Sequence, residues 1–275
     1  MTGQDNNAAT IKNPELWTLE IGLEPSVINY ILFTDAQEDS LIYGTIELDA
    51  STGNYLKSVE NAVYENPILL NDYQKVKILY RSQRYVVIPG IMDDDESAEK
   101  VLAATYGDSD GDAAMCHLHQ CGVRIAFETE KGLMPFLQRT FNNPPIYHHL
   151  YPLCEHYNRI NEGSGISRMF LNLGENYMDA VIYKKGKFIL ANTYQYRNDK
   201  DAAFFALTAW DSLGLDRLTD ELQLTGDKER RAALAPALRE YIGFVMPAIY
   251  PAAALRIGQN AMKAPIDLIL LALCE

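Results

Sequence analysis

The sequence has no uninterrupted apolar run of 18 residues, the length that a membrane-spanning helix needs. Its longest apolar run, residues 266–274, is short and contains Asp267. The first fifteen residues, MTGQDNNAATIKNPE, are polar and lack the apolar core of a secretory signal. Four cysteines in 275 residues follow no disulfide-framework spacing. These absences predict a cytoplasmic protein with reduced thiols, no transmembrane segment and a loose polar N-terminal tail.

The chain also lacks a basic excess and the common motifs of hydrolytic and phosphate-binding sites. No GxxxxGK[ST] loop, GxSxG elbow or HExxH helix is present. The formal net charge is −13, and residues 1–163 account for all of it, with 24 acidic and 11 basic residues. Because phosphate backbones bind basic surfaces, we expect no nucleic-acid partner. The acidic half is either a solvated surface or the contact surface for a basic protein.

What the sequence does contain is a succession of strands and helices typical of an α/β protein. LWTLEIGL, SVINYILFT and SLIYGTIEL predict three strands, and helical spacing predicts a following helix that ends near Pro67. KVKILYRSQRYVVIPG, residues 75–90, is predicted as a hairpin. The small polar segment NEGSGIS, residues 161–167, predicts a boundary between two lobes, 1–163 with a small insertion and 164–275.

The starts of the two predicted lobes echo each other. LEIGLEPSVINYILF begins the first and LNLGENYMDAVIYKK begins the second. Each is an apolar strand that ends in a polar residue, an apolar residue and a glycine, and each then turns into a second strand, a third strand and a helix. A unit of three strands and a helix used twice predicts two similar α/β lobes that face a cleft. Ligands in open α/β sheets bind at strand ends, so the cleft is the predicted site.

The second half resembles a lobe of the actin-like ATPase superfamily, and it is most similar to the pilus-assembly and cell-division members. NLGENYMDAVIYKKGKFILANT is similar to their phosphate hairpin, LQLTG to their adenosine-motif strand, and MPAIYPA with PIDLILLALC to their closing strand and last helix. In the first half the resemblance rests on LEIG and the strand order. A narrower resemblance is to a family of uncharacterised bacterial proteins that share this fold. The resemblance implies an α/β fold with two ribonuclease-H-like lobes in an actin-like architecture.

The resemblance also implies where ATP and Mg²⁺ would bind. In the superfamily two carboxylates hold the metal and glycine-rich turns hold the phosphates. The corresponding positions in this sequence are Glu20, Gly22, Asn172, Gly174, Asp179 and Gly226. Glu20 keeps the charge with one extra methylene, whereas Asn172 cannot carry it. The turns after the first two glycines contain Glu24, Pro25 and Glu175, which suit a phosphate poorly.

We therefore expect a degenerate nucleotide site, a pseudo-ATPase, in a scaffold or protein-binding module. This reading includes no catalytic residue, no metal site and no cofactor, and it leaves the protein partner unidentified. The alternative is a nucleotide-responsive switch or weak ATPase that still binds ATP and Mg²⁺ in the cleft, with Glu20 and Asp179 around the metal.

All five histidines and three of the four cysteines lie between residues 116 and 156. Read as one strand, MCHLHQCG places His117, His119 and Cys121 on one face, a set that zinc could use. That face continues with apolar residues, so we interpret the region as a helix–strand interface with buried thiols. A zinc site and a nucleophilic Cys154–histidine pair are the alternatives. The acidic runs 93–96 and 108–112 are interpreted as a helix start and a loop, with calcium binding as their alternative.

Overall fold

A computed structural model describes residues 11–90 and 97–274. Most of the predicted N-terminal tail and the acidic run 93–96 lie outside these ranges. The described strands and α-helices are, in chain order, β1 (Thr18–Leu23), β2 (Val27–Phe33), β3 (Ile42–Glu47), α1 (Tyr55–Glu65), β4 (Lys75–Tyr80), β5 (Tyr85–Pro89), α2 (Ala98–Tyr106), β6 (Asp112–Leu118), β7 (Val123–Thr129), α3 (Leu133–Thr140), β8 (Ile146–His148), α4 (Leu150–Asn161), β9 (Arg168–Leu173), β10 (Tyr177–Lys184), β11 (Lys187–Gln195), α5 (Asp199–Ser212), β12 (Glu221–Gly226), α6 (Lys228–Arg239), β13 (Phe244–Pro247), α7 (Ala252–Ile257) and α8 (Ile266–Ala272).

Two five-stranded sheets of the same topology form the frame of the molecule. Their strand orders are β3-β2-β1-β4-β8 and β11-β10-β9-β12-β13. In each sheet the three strands named first pair antiparallel with one another, and the last two run parallel to the central strand, which is β1 or β9. The prediction of an α/β fold with a repeated unit of three strands and a helix is confirmed. The proposed boundary between residues 163 and 164 falls between α4 and β9 and stays a prediction.

Each sheet has one outer and one inner face. The outer face of the first sheet packs against α1 and α3, and that of the second sheet against α5 and α6. The inner faces enclose α4 and α8. Because α8 is apolar around most of its circumference, it suits a position between two sheets. Leu268 and Leu271 of α8 join the first lobe's inner core, while Ile266 and Leu270 join the core around Phe170 of β9.

The predicted hairpin over residues 75–90 is wrong. β4 pairs in parallel with β1, and β5 instead pairs with β7 in a separate three-stranded sheet of order β5-β7-β6. The chain changes direction at Ser82, whose hydroxyl donates to the carbonyls of Arg84 and Glu128. Two adjacent apolar runs indicate two strands, but their spacing alone does not identify the strand that each one pairs with.

The segment MCHLHQCG does not form one strand, so His117, His119 and Cys121 do not share the strand face that the zinc alternative requires. β6 ends at Leu118, and the chain reverses into β7 through Gly122, whose φ of 66° favours glycine. His117 and His119 are exposed, with ring centroids 5.7 Å apart, and Cys121 is half-buried. Within residues 11–90 and 97–274, no three His, Cys, Asp or Glu side chains are grouped to hold a metal ion. The same ranges contain no helix with the length and apolarity to cross a membrane.

Candidate functional site in the cleft between the lobes

The residues predicted for the second lobe's half of the site lie close together. The carboxylate of Asp179 on β10 is fully buried, and Asn172 on β9 donates its amide to it at 3.1 Å. Gly226, at the end of β12, packs against the same strand end. A Cβ atom there would lie 2.2 Å from the carbonyl oxygen of Leu173, so only glycine fits. The parallel pairing of β9 with β12 and the antiparallel pairing with β10 bring these three residues into one cluster.

Glu20 and Gly22, the residues predicted for the first lobe's half, do not join this cluster. Glu20 is fully buried within β1, and its carboxylate lies 3.1 Å from the ammonium of Lys77 on β4. Burial raises the pKa of Glu20 to about 7, although Lys77 acts in the opposite direction. Gly22 lines a small cavity between the lobes, beside Asn29 and Leu268.

Arg81, the residue that follows β4, crosses between the two halves. Its guanidinium donates to both carboxylate oxygens of Asp179 at 3.1 and 3.3 Å, and to Asp267 of α8 at 3.0 Å. The side chain is 7% exposed. A planar guanidinium matches two carboxylates in this way because its N–H groups form a rigid fork. Arg81 thus joins the first lobe, the second lobe and the buried helix α8.

Tyr177 closes the turn between β9 and β10. Its ring lies 3.9 Å from the guanidinium carbon of Arg81, in cation–π geometry. The ring also covers Gly174, where a Cβ atom would lie 2.3 Å from it. The N–H of Gly174 donates to the carbonyl of Tyr177 at 2.8 Å. The turn that the resemblance assigns to phosphate therefore directs this N–H to the carbonyl at the start of β10 and carries an aromatic ring on its glycine.

Three carboxylates surround the single guanidinium, and their protonation differs. Burial alone would raise the pKa of Asp179, but Arg81 and then His149 hold that pKa well below its usual range. Burial raises the pKa of Glu24 to about 7 against the effect of Arg81, whose Nε is 4.0 Å away. Burial likewise raises the pKa of Asp267. Asp179 is therefore the ionised partner of Arg81, while the other two bind protons more readily than free carboxyl groups.

A buried histidine completes the hydrogen bonding of Asp179. His149 Nε2 lies 3.2 Å from the Asp179 carboxylate and 3.0 Å from the hydroxyl of Thr193, which itself donates to Asp179 at 2.8 Å. Burial, and then the nearby Arg81, lowers the pKa of His149, so the ring is neutral at physiological pH. Tyr85 of the three-stranded sheet accepts from the N–H of Thr193 at 2.7 Å. Asp179 is thus saturated by protein donors.

The space left in the cleft is small. The cavity lined by Gly22, Glu24, Arg81 and Asp267 has a volume of about 10 Å³. This is about the volume that one ordered water requires, whereas small-molecule sites measure roughly 300–1,000 Å³. In this arrangement the cleft can hold water, but a nucleotide would have to displace Arg81 and Tyr177.

Sequence reasoning missed Arg81, Asp267, His149 and Thr193 as members of this cluster. A signal was present for the first two. Arg81 follows the apolar strand KVKILY, and Asp267 is the one acid in the apolar run 266–274. A charged residue at such a position must find a partner when the segment is buried. His149 and Thr193 had no comparable signal, because their approach to Asp179 depends on tertiary packing.

Two solved structures resemble this one over nearly their whole length. One is a Bacteroides thetaiotaomicron VPI-5482 protein described as having an actin-like ATPase fold and unknown function. It has a TM-score of 0.79 and 22% identity, and the match covers 95% of this chain and 97% of that one. The other is the PilM–PilN type IV pilus biogenesis complex, with a TM-score of 0.55 and 12% identity, covering 95% of this chain and 100% of the matched chain. The predicted actin-like fold is confirmed.

No curated protein sequence matches this chain. One family profile matches residues 6–245, and its description is "Protein of unknown function (DUF3822)". The match spans most of the chain and includes both halves of the cleft, so the predicted membership of an uncharacterised family with this fold is also confirmed. The chain belongs to the DUF3822 family of proteins of unknown function and has the fold of actin-like ATPases.

Proposed function

We propose that this chain is a non-catalytic protein-binding module, a scaffold whose inter-lobe cleft holds its own side chains in place of a nucleotide. The observation that carries the proposal is Arg81, which pairs with Asp179 and Asp267 where the resemblance places ATP and Mg²⁺. A basic side chain bonded to both carboxylates competes directly with a metal ion for them.

One further observation, and the free energy of the Arg81 pairing, support a structural role for the cleft. Asn172 replaces a carboxylate, and its amide donates to Asp179. Breaking the pairing of Arg81 would leave buried charges without partners, which costs about 3–5 kcal/mol. A ligand that opened the cleft would have to offset that free energy. The cleft thus acts as a fixed joint that holds the two lobes in one relative orientation.

Because its own side chains fill the cleft, the function that we propose for this chain is to bind another protein. PilM, a protein of similar fold, has been solved in a complex with PilN. The acidic surface of residues 1–163 favours a partner with basic groups over a nucleic acid. We also place the protein in the cytoplasm, since Cys116, Cys121, Cys154 and Cys274 are all free thiols.

Thermal unfolding with and without nucleotide tests the proposal. A ligand present at a hundred times its dissociation constant stabilises the folded state by about 2.7 kcal/mol, which is a shift of several degrees in a chain of this size. We expect no shift with millimolar ATP and Mg²⁺ relative to Mg²⁺ with inorganic phosphate at equal ionic strength. A shift that needs both ATP and Mg²⁺ would contradict the proposal and establish the nucleotide-responsive switch.

A further inference from the structure

Two adjoining cavities lie outside the cleft, where the connection between β4 and β5 meets the loop before β6 and the end of β7. Their volumes are about 360 and 280 Å³. They share Ser109, Gly111 and Glu128, and together they form one groove, called here the acidic groove. Each volume is close to that of a small-molecule site, in contrast to the water-sized cavity of the cleft.

The walls of the acidic groove are fixed by Arg84. Its guanidinium lies 3.1 Å from the carboxylate of Glu128, donates to the carbonyl of Gly107 at 3.0 Å and lies 5.2 Å from the ring centre of Tyr106. The loop is also closely packed at Gly111, where a Cβ atom would lie 2.5 Å from the Glu128 side chain. A groove held open in this way loses little conformational entropy when a partner binds.

The rim of the groove is acidic. Five carboxylates and two cations line the two cavities: Glu99, Asp108, Asp110, Glu128 and Glu130, with Arg84 and Lys131. Arg84 neutralises Glu128. Asp110 has Lys131 at 3.9 Å, but both side chains are largely exposed, so that pair is weak. The groove therefore presents carboxylates that can accept hydrogen bonds from a cationic ligand.

The floor of the second cavity is apolar. Leu102, Ala103 and Ala113 line it and are buried or half-buried, whereas Glu99 and Asp108 are exposed at its rim. An apolar floor under an acidic rim matches the side chains of arginine and lysine, whose aliphatic stems pack on apolar surface while their charged ends reach polar groups. A small inorganic cation would use the rim alone and leave this floor uncovered.

We infer that the acidic groove binds a basic segment of a partner protein, with one arginine or lysine side chain in each cavity. The inference rests on the proposed protein-binding function and names the surface that performs it. The stem in the second cavity covers its apolar floor, and the charged ends in both cavities pair with the rim carboxylates. Ser82, the residue after Arg81, lines the acidic groove, so the bound segment lies next to the joint between the lobes.

Fluorescence anisotropy with a defined peptide tests this inference. The probe is fluorescein-labelled Gly-Ser-Arg-Ala-Arg-Ser-Gly at low salt, and the same peptide with citrulline in place of both arginines is the uncharged control. The variants Glu99→Gln with Asp108→Asn, and Asp110→Asn with Glu130→Gln, each remove two rim charges. The matched control, Asp35→Asn with Glu38→Gln, removes two exposed charges from another loop.

We expect the arginine peptide to bind the native protein and the citrulline peptide not to bind. Each groove variant should weaken binding by about threefold to tenfold, the effect of losing two exposed ion pairs, and the control by less than about twofold. No binding at millimolar protein, or equal weakening in the control variant, would overturn the inference that the acidic groove binds a basic segment. The two tests are independent. A peptide that does not bind leaves the evidence for a closed cleft unchanged. ATP binding would refute the closed cleft without changing the peptide result.

Discussion

At the scale of single residues, Arg81 decides what the cleft between the lobes can contain. Its guanidinium has Asp179 and Asp267 as partners and the ring of Tyr177 on its face. The residue types at the positions that the resemblance assigns do not decide whether a nucleotide binds, because Glu20 keeps a charge and Asn172 loses one. The geometry of Arg81, which is not among those positions, provides the stronger argument.

Removing Arg81 should destabilise the fold strongly. Arg81→Ala leaves Asp179 and Asp267 buried without their cation, and we expect it to lower the free energy of unfolding by about 3–5 kcal/mol. Arg217→Ala is the matched control, since Arg217 pairs with Asp211 at the surface, and its cost should stay below about 1 kcal/mol. Urea unfolding measures both. Similar costs for the two variants would show that Arg81 does not bind the lobes together.

The contact between Gly174 and Tyr177 gives a second prediction at this scale. Gly174→Ala would force a Cβ atom against the ring of Tyr177, and we expect a loss of about 1–3 kcal/mol in the free energy of unfolding. Gly165→Ala is the control, because a Cβ atom there meets nothing within 4 Å. Thermal or urea unfolding makes the comparison. An unchanged stability in Gly174→Ala would mean that the ring does not hold this position.

Glu24 gives a prediction that depends on pH. Its folded pKa of about 7 lies above the ordinary value of 4.5, so the folded state holds a proton that the unfolded state releases. Its contribution to stability is complete below pH 4.5 and is lost as the pH rises through 7. His148 and His149, whose pKa values are lowered by burial, act in the opposite direction near pH 6, so the native protein alone does not isolate the effect.

The variant Glu24→Gln removes this one titration. We expect its free energy of unfolding to rise relative to that of the native protein by about 1–3 kcal/mol between pH 5 and pH 8. Urea unfolding of both proteins across that range gives the difference directly. Glu47→Gln, in which an exposed glutamate of β3 is replaced, is the control for the loss of one surface carboxylate. A constant difference for Glu24→Gln would refute the raised pKa.

At the scale of elements, α8 is the helix that joins the two sheets. Arg81 pairs with Asp267 in its first turn, and the ammonium of Lys77 donates to the carbonyls of Leu271 and Cys274 at its end, at 3.0 and 3.1 Å. Cations suit the C-terminal end of a helix, where carbonyl groups lack intrahelical partners. Two side chains on or just after β4, four residues apart, thus hold both ends of α8.

A double-mutant cycle tests the attachment at Lys77. Lys77→Met leaves the α8 carbonyls without their donor and Glu20 without its ion-pair partner, and we expect it to cost about 3 kcal/mol of unfolding free energy. Glu20→Gln alone should cost less, because Lys77 keeps its carbonyl partners. The coupling between the two should be about 1–3 kcal/mol by urea unfolding. Additive effects would mean that Glu20 and Lys77 are not partners.

How much could be predicted differs from element to element. The strands β1 and β9 follow from local patterns, since LEIG and LNLG each continue an apolar run that is typical of a strand. The pairing of β5 with β7 was not predictable in this way, because alternation marks a strand and not its neighbour. The cluster around Asp179 was not predictable either, because local patterns do not reveal which distant residues meet. Arg81 and Asp179 are far apart in sequence and meet only when the sheets enclose α8.

At the scale of the whole molecule, two lobes of the same topology are closed on each other by buried ion pairs and by α8. The fold is that of the actin-like ATPases, as the resemblance predicted. The assignment of Glu20, Gly22, Asn172, Gly174, Asp179 and Gly226 to a degenerate nucleotide site stays a prediction, as do the absence of a cofactor and the cytoplasmic location. The degenerate site and the absence of a cofactor rest on one claim, that the chain's own side chains occupy the cleft.

Isothermal titration calorimetry of the metal-stripped protein with ATP, with and without Mg²⁺, tests that claim most directly. Because the cleft has space for about one water and Arg81 pairs with both buried carboxylates, we expect no heat beyond dilution at millimolar ATP in either condition. Micromolar binding that requires Mg²⁺ and is weakened by Asp179→Asn would contradict it, since that result requires Asp179 to leave Arg81 and take part in metal coordination.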